Sequence, residues 1–279
     1  MNLPGIIDMN GPRSVGLRLL IYGLWKCGKT RIALTFPAPL LIHPIVETGF
    51  DTAFYQGRYL AQPVALGQTH AAKLRGQGGV SIRKELDTWI EWLHTTALQG
   101  QCPYQTVAIG GFSDMLRMIQ AEEEADPKNR TRGGELSIQW VWQGVLRWTL
   151  RTTQLLFALP QHVILEVGAK GLFEDMKNPM AVTRYVPDLQ GQTKSIVQRE
   201  ASVIAYQERS LAGSFRTHFR ESGMFFAESR LHDLKVGAVD NCGYDFFAQQ
   251  LGLPPIWEAD PKHPRCQPGC WPWNCEWHA

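Results

Sequence analysis

Apolar and polar positions fall in blocks that predict strands and helices in turn. Residues 17–22, apolar apart from Arg18, read as a first strand. Ile32, Ala33 and Leu34 begin a helical pattern from about residue 29 to 36, which Pro37 and Pro39 stop because proline carries no amide to continue it. Leu40-Leu41-Ile42 is a short buried strand. Leu86, Trp89, Ile90 and Leu93 recur at helical spacing within residues 81–98, with Ser81 placed to cap that helix. Residues 105–109 form the next strand, 112–124 a helix, 136–159 a long helix ended by Pro160, and 163–167 another strand. Gly171 to Asn178 reads as a hairpin or loop, residues 193–199 as a short helix, and 201–208 and 214–219 as strands. Between residues 51 and 79, Gly57, Gly67, Gly76, Gly78 and Gly79 give a loop-like signal. It carries Arg58, His70, Lys73 and Arg75, which suit either a phosphate backbone or a solvated surface. Strands alternating with helices predict an α/β fold, a mostly parallel β-sheet covered by helices, with any phosphate site at the carboxyl ends of the strands.

Composition changes this picture little. A hydrophobic content of 44% over 279 residues, with 19% charged, is that of a globular chain large enough for one α/β domain and an appendage. The organisation expected is an arm over 1–15, a domain over 16–257 and a tail over 258–279. A net charge of +2 argues neither for nor against a nucleic-acid partner. No apolar run approaches the eighteen or so residues a membrane span needs, and Met1-Asn2-Leu3-Pro4-Gly5 is not the start of a signal peptide, so a cytoplasmic location and no membrane partner are expected. Cys27, Cys102 and Cys242 are scattered and read as free thiols. Trp140, Trp142 and Trp148 read as helix packing, with base stacking a lesser option.

The chemistry concentrates at Gly23-Leu24-Trp25-Lys26-Cys27-Gly28-Lys29-Thr30, followed by Arg31. This is G-x-x-x-x-G-K-T, the phosphate-binding loop pattern, lying between the predicted strand and helix that it requires. Its glycines allow a tight turn and close approach to phosphate oxygens, so that loop amides point at the anion. Lys29 is expected on the β- and γ-phosphates and the Thr30 hydroxyl on Mg²⁺. Hydrolysis needs further groups, the first being a carboxylate at the end of a neighbouring strand. After residues 106–109 that position is Gly110, and Asp114 lies four residues on.

The loop, together with Tyr104-Gln105-Thr106-Val107-Ala108-Ile109-Gly110-Gly111-Phe112-Ser113-Asp114, the strand after Pro160 and Pro187-Asp188-Leu189-Gln190-Gly191, resembles the phage RecA-like ATPases of the single-strand annealing and recombination type, AAA-family phage nucleotide-binding proteins. The resemblance spans about residues 15–235. It implies a RecA-like P-loop NTPase core that binds ATP and Mg²⁺, hydrolyses ATP, assembles as a homo-oligomer and acts with single-stranded DNA, in a host cytoplasm if phage-encoded. It suggests Glu47 as the acid that orients water, and it places Arg230 where relatives carry a Lys-x-Arg pair reaching a neighbouring subunit's nucleotide. This chain departs from the pattern at Gly110, at Gly168 (where relatives carry a polar sensor) and at Glu228 (where the lysine of the pair is expected). In the RecA-like arrangement the strand carrying Glu166 lies beside the loop strand, so Glu166 is the candidate to replace the missing carboxylate.

In the tail, Cys266, Cys270, Cys275 and His278 form C-x3-C-x4-C-x2-H, enough ligands for a tetrahedral Zn²⁺ site or else a tail of free thiols. The functions open at this stage are a DNA-dependent ATPase, a hydrolysis-deficient nucleotide-binding scaffold or switch, and a P-loop kinase or transferase.

Overall fold

Residues 16–44, 62–66, 81–173, 182–210, 213–234 and 236–253 are described by the computed structural model. They form β1 (Arg18–Gly23), α1 (Lys29–Leu34), β2 (Pro39–Pro44), β3 (Gln62–Leu66), α2 (Ile82–Leu98), β4 (Thr106–Ile109), α3 (Phe112–Ala125), α4 (Ile138–Ala158), β5 (His162–Phe173), β6 (Val182–Pro187), α5 (Gly191–Glu200), β7 (Val203–Arg209), β8 (Phe215–His218), β9 (Glu228–Ser229), β10 (Ala238–Asp240) and α6 (Tyr244–Leu251). The sheet runs β10-β8-β7-β1-β5-β4-β2-β3. From β7 to β3 every pairing is parallel, while β6, β8, β9 and β10 add antiparallel edges.

β1, β2 and β4 are buried at every position, which is why they read as continuous apolar runs rather than alternating ones. One face of the sheet (Leu20, Tyr22, Val107, Ile109, Leu165) packs on α2, α3, α4 and α5. The other (Leu19, Ile21, Ala108, Ile164) packs on α1 and α6. No described helix is long and apolar enough to cross a membrane.

Three local expectations change. The glycine-rich stretch expected to be loop throughout contains β3, which forms by pairing in parallel with β2. Its five residues include Pro63 and show no period of their own, so the partner strand, not the local pattern, makes it a strand. Ser81 occupies the first cap position of α2 but makes no cap bond with its side chain. It donates instead to Glu122 Oε2 (2.6 Å), and Glu122 Oε1 accepts from the Ile82 amide (2.8 Å). A full carboxylate charge from α3 thus serves the helix end better than the local hydroxyl. Of the three tryptophans on α4, Trp148 is buried and Trp142 packs against the core, but Trp140 is exposed.

Glu123 on α3 is nearly enclosed. It accepts from Arg83 (2.5 Å) and from Asn129 Nδ2 (2.7 Å). Gly144 of α4 makes room for it, since a Cβ there would meet the Glu123 carboxyl carbon at 2.3 Å. Gly144→Ala is therefore expected to destabilise the fold by about 1–3 kcal/mol, despite alanine's better helix propensity. A urea midpoint at or above wild type would contradict this.

His162 opens β5. Its Nδ1 accepts the Leu17 amide (3.0 Å), and its ring meets Phe36 and Tyr244 at 5.7 and 5.6 Å between centroids. Burial, and then the charge of Arg18, lower its pKa from 6.5 to about 4. The unfolded chain therefore takes up this proton first as pH falls. Stability is expected to be flat above pH 6.5 and to lose about 2–3 kcal/mol between pH 6.5 and 4. His162→Asn should flatten that window in denaturation curves taken across it; an unchanged slope would refute the assignment.

Candidate nucleotide site

The loop leaves β1 at Gly23, where a Cβ would sit 2.1 Å from the Gln207 carbonyl of β7 and 2.6 Å from Cys27 Sγ. Only glycine allows the chain to turn away so close to the neighbouring strand. At the other end Gly28 has φ 88°, a left-handed value. Lys26 also lies there, at φ 58°. Leu24 and Trp25 form an exposed tip, Trp25 at 87%. Cys27 is buried and its thiol pKa is pushed up by that burial, so it packs rather than reacts.

Lys29 arches back across the loop. Its Nζ donates to the carbonyls of Gly23 (3.1 Å) and Leu24 (3.0 Å) and meets Cys27 Sγ at 3.7 Å. The ammonium is thereby held against the loop that would receive phosphate. Thr30 Oγ1 donates to Glu166 Oε2 at 2.7 Å. Glu166 is 2% exposed and lies on β5 opposite Ile21 of β1. β5 lies between β1 and β4, so the carboxylate comes from the strand directly beside the loop strand.

Two of the positions that depart from the resemblance, Gly110 and Gly168, have close neighbours. At Gly110, after β4, a Cβ would be 3.3 Å from His43 Cβ and 3.6 Å from Leu41 Cδ1, both on β2. Asp114 is held by Arg117 at 2.6 Å, and Arg117 also pairs with Asp188. At Gly168, opposite Gly23, the backbone is knotted to Ser113 and Asp188. Gly168 N donates to Ser113 Oγ (3.1 Å), Ser113 Oγ donates to the Asp188 carbonyl (2.9 Å), and Asp188 N donates to the Gly168 carbonyl (2.7 Å). A groove lined by Ser113, Arg117, Trp142, Asp188 and Gln190 adjoins this knot.

A family model described as an AAA domain matches residues 15–231. The chain belongs to that AAA domain family. No curated protein matches it. Nucleotide binding is general to such domains, with ATP and Mg²⁺ the usual ligands. The residues present fit them: the Thr30 hydroxyl and Glu166 carboxylate are the hard oxygen donors a Mg²⁺ shell requires, and Lys29 supplies a cation for phosphate.

The other site candidates of this AAA domain scatter. Arg230 is exposed at the far end of the sheet from the loop. Its amide donates to the Ser202 carbonyl, Ser202 in turn bonds to Arg18 at the start of β1, and its guanidinium donates to the Arg199 carbonyl at 2.5 Å. It therefore cannot serve its own chain's loop. Glu228, also exposed, pairs through its backbone with Ile204 on β7. Glu47, Cys266, Cys270, Cys275 and His278 lie outside the described residues, as do Arg58, His70, Lys73 and Arg75. Among the described residues no group of three or more His, Cys, Asp or Glu could hold a metal ion.

Sequence reasoning missed the residues that border the loop on the side away from Glu166. Phe215 packs on Gly28, Arg31 and Arg209 lie over the Phe215 ring, and Asn241 accepts from Arg31. Arg31 was a candidate as part of the loop segment, but Arg209, Phe215 and Asn241 come from β7, β8 and the turn after β10, and nothing in their local pattern signals the encounter.

Proposed function

We propose that this AAA domain is a RecA-like, Mg²⁺-dependent ATPase that acts with single-stranded DNA as a homo-oligomer. The observation that carries the reading is the Thr30–Glu166 hydrogen bond. It joins the hydroxyl expected on Mg²⁺ to a buried carboxylate, and so supports Glu166 in the role that Gly110 cannot fill. Lys29 binds and orients the β- and γ-phosphates, and the loop amides hold them. Thr30 and Glu166 hold the Mg²⁺ shell, and the metal, when bound, neutralises charge developing on the phosphate oxygens. Glu47 is the proposed acid that orients the attacking water, and Arg230 the proposed contact to a neighbouring subunit's nucleotide. The parallel run β7-β1-β5-β4-β2 is consistent with a RecA-like core. The DNA and recombination role rests on the resemblance.

A second reading is favoured by Gly168 itself, which has no side chain to sense the γ-phosphate: a nucleotide-dependent scaffold or switch that hydrolyses poorly. ATP turnover with and without single-stranded DNA, with Lys29→Ala as control, separates the two. DNA-stimulated turnover abolished in Lys29→Ala supports the ATPase. Tight ATP binding without turnover supports the scaffold, and absence of both ATP and DNA binding refutes both.

A further inference from the structure

Resting on the nucleotide reading above, we propose that the Arg31–Phe215–Arg209 stack is the base-recognition wall of the site, and that it selects purine nucleoside triphosphates. The loop has two flanks. On the β5 side lies the Glu166 carboxylate, hydrogen-bonded to Thr30, which suits a metal and the terminal phosphates. On the β7–β8 side lies Phe215, whose ring would be 2.6 Å from a Cβ on Gly28 and so packs directly on the phosphate loop. A nucleotide whose metal-bound end faces Glu166 has its base and ribose on the Phe215 side.

That side is built for a flat, electron-rich ring. Arg31 and Arg209 place their guanidinium carbons 5.1 and 5.6 Å from the Phe215 ring centre. Arg209 faces Phe215 in the β7–β8 register, so the hairpin holds the pair together. Arg31 is oriented by Asn241 Oδ1 at 3.1 Å, and the Asn241 amide donates to the Phe215 carbonyl at 2.6 Å, which ties the turn to the same wall. Among the described residues neither guanidinium pairs with a carboxylate. Planar guanidinium groups already stacked on an aromatic ring offer a base both a face to stack on and donors for its edge. A purine presents the larger face, so it gains more from this wall than a pyrimidine.

The test is calorimetric binding of the full chain, with Mg²⁺, to ATP, UTP and inorganic tripolyphosphate. Tripolyphosphate reads the loop alone. Wild type is expected to bind ATP about tenfold or more tighter than UTP or tripolyphosphate. Phe215→Leu keeps an apolar side chain against Gly28 but removes the π face. It should weaken ATP by about 5–100-fold while leaving tripolyphosphate within about twofold. Arg209→Gln, which leaves the Phe215 packing intact, should shift ATP in the same direction. If ATP and tripolyphosphate weaken together in Phe215→Leu, or ATP affinity is unchanged in both variants, the wall does not read the base. Wild type binding tripolyphosphate as tightly as ATP overturns the inference but leaves the phosphate loop standing. Wild type binding neither overturns both.

Discussion

Glu166→Gln is expected to leave ATP binding nearly intact while lowering Mg²⁺-dependent turnover, or the Mg²⁺ affinity of the nucleotide complex, by about 10–100-fold. The substitution keeps the shape of the side chain and one oxygen that can accept from Thr30 Oγ1, but removes the negative charge beside the proposed metal shell. Most ATP binding energy comes from the loop amides and Lys29, which the change does not touch. Affinity for ATP and its Mg²⁺ dependence should therefore separate. The measurement is a Mg²⁺ titration of ATP binding and of phosphate release for wild type, Glu166→Gln and Asp114→Asn. Asp114 is held by Arg117, so its change should have little effect. If Asp114→Asn abolishes Mg²⁺ dependence and Glu166→Gln does not, the carboxylate has been assigned to the wrong strand.

Arg18→Met should be the most damaging change to the fold, costing about 3–5 kcal/mol and roughly 10 °C in melting temperature. Arg18 is 4% exposed at the start of the central strand. Its Nε donates to the Phe157 carbonyl (2.7 Å), Nη1 to those of Gln161 (2.6 Å) and Gly16 (3.0 Å), and Nη2 to that of Leu159. Apart from that of Gly16, which just precedes β1, these carbonyls lie at the carboxyl end of α4 and in the turn into β5, where helix carbonyls have no partner of their own and the helix dipole is negative. Burial lowers the guanidinium pKa to about 10, so it remains charged at neutral pH. Methionine fills similar volume but strands the carbonyls in an apolar setting. Guanidinium-chloride midpoints should show the loss, and a shift below about 1 kcal/mol would mean that water replaces Arg18 without cost.

Arg18 also marks how far local pattern carried. It sat as the single charge in an apolar run, and nothing nearby in the chain announced the carbonyls of Phe157, Leu159 and Gln161 that hold it, because they are about 140 residues away. The same distance separates Thr30 from Glu166. The resemblance made Glu166 a candidate through strand order, but the hydrogen bond that supports it depends on the register of β5 against β1. Phe215 carried no signal at all. Its contact with Gly28 arises where an antiparallel hairpin at the edge of a parallel run folds over the loop.

What the chain determined by itself was whatever depends on near neighbours. The unbroken apolar runs of β1, β2 and β4, the proline stops, the helical spacing of α2 and the glycine–lysine–threonine spacing of the phosphate loop all express short-range sterics and periodicity, and they are legible without a partner. Only the tertiary structure decided which carboxylate stands beside Thr30, which groups neighbour Gly110 and Gly168, and which aromatic ring borders the loop. Those outcomes depend on sheet order and register, where a shift of one residue turns a side chain to the opposite face.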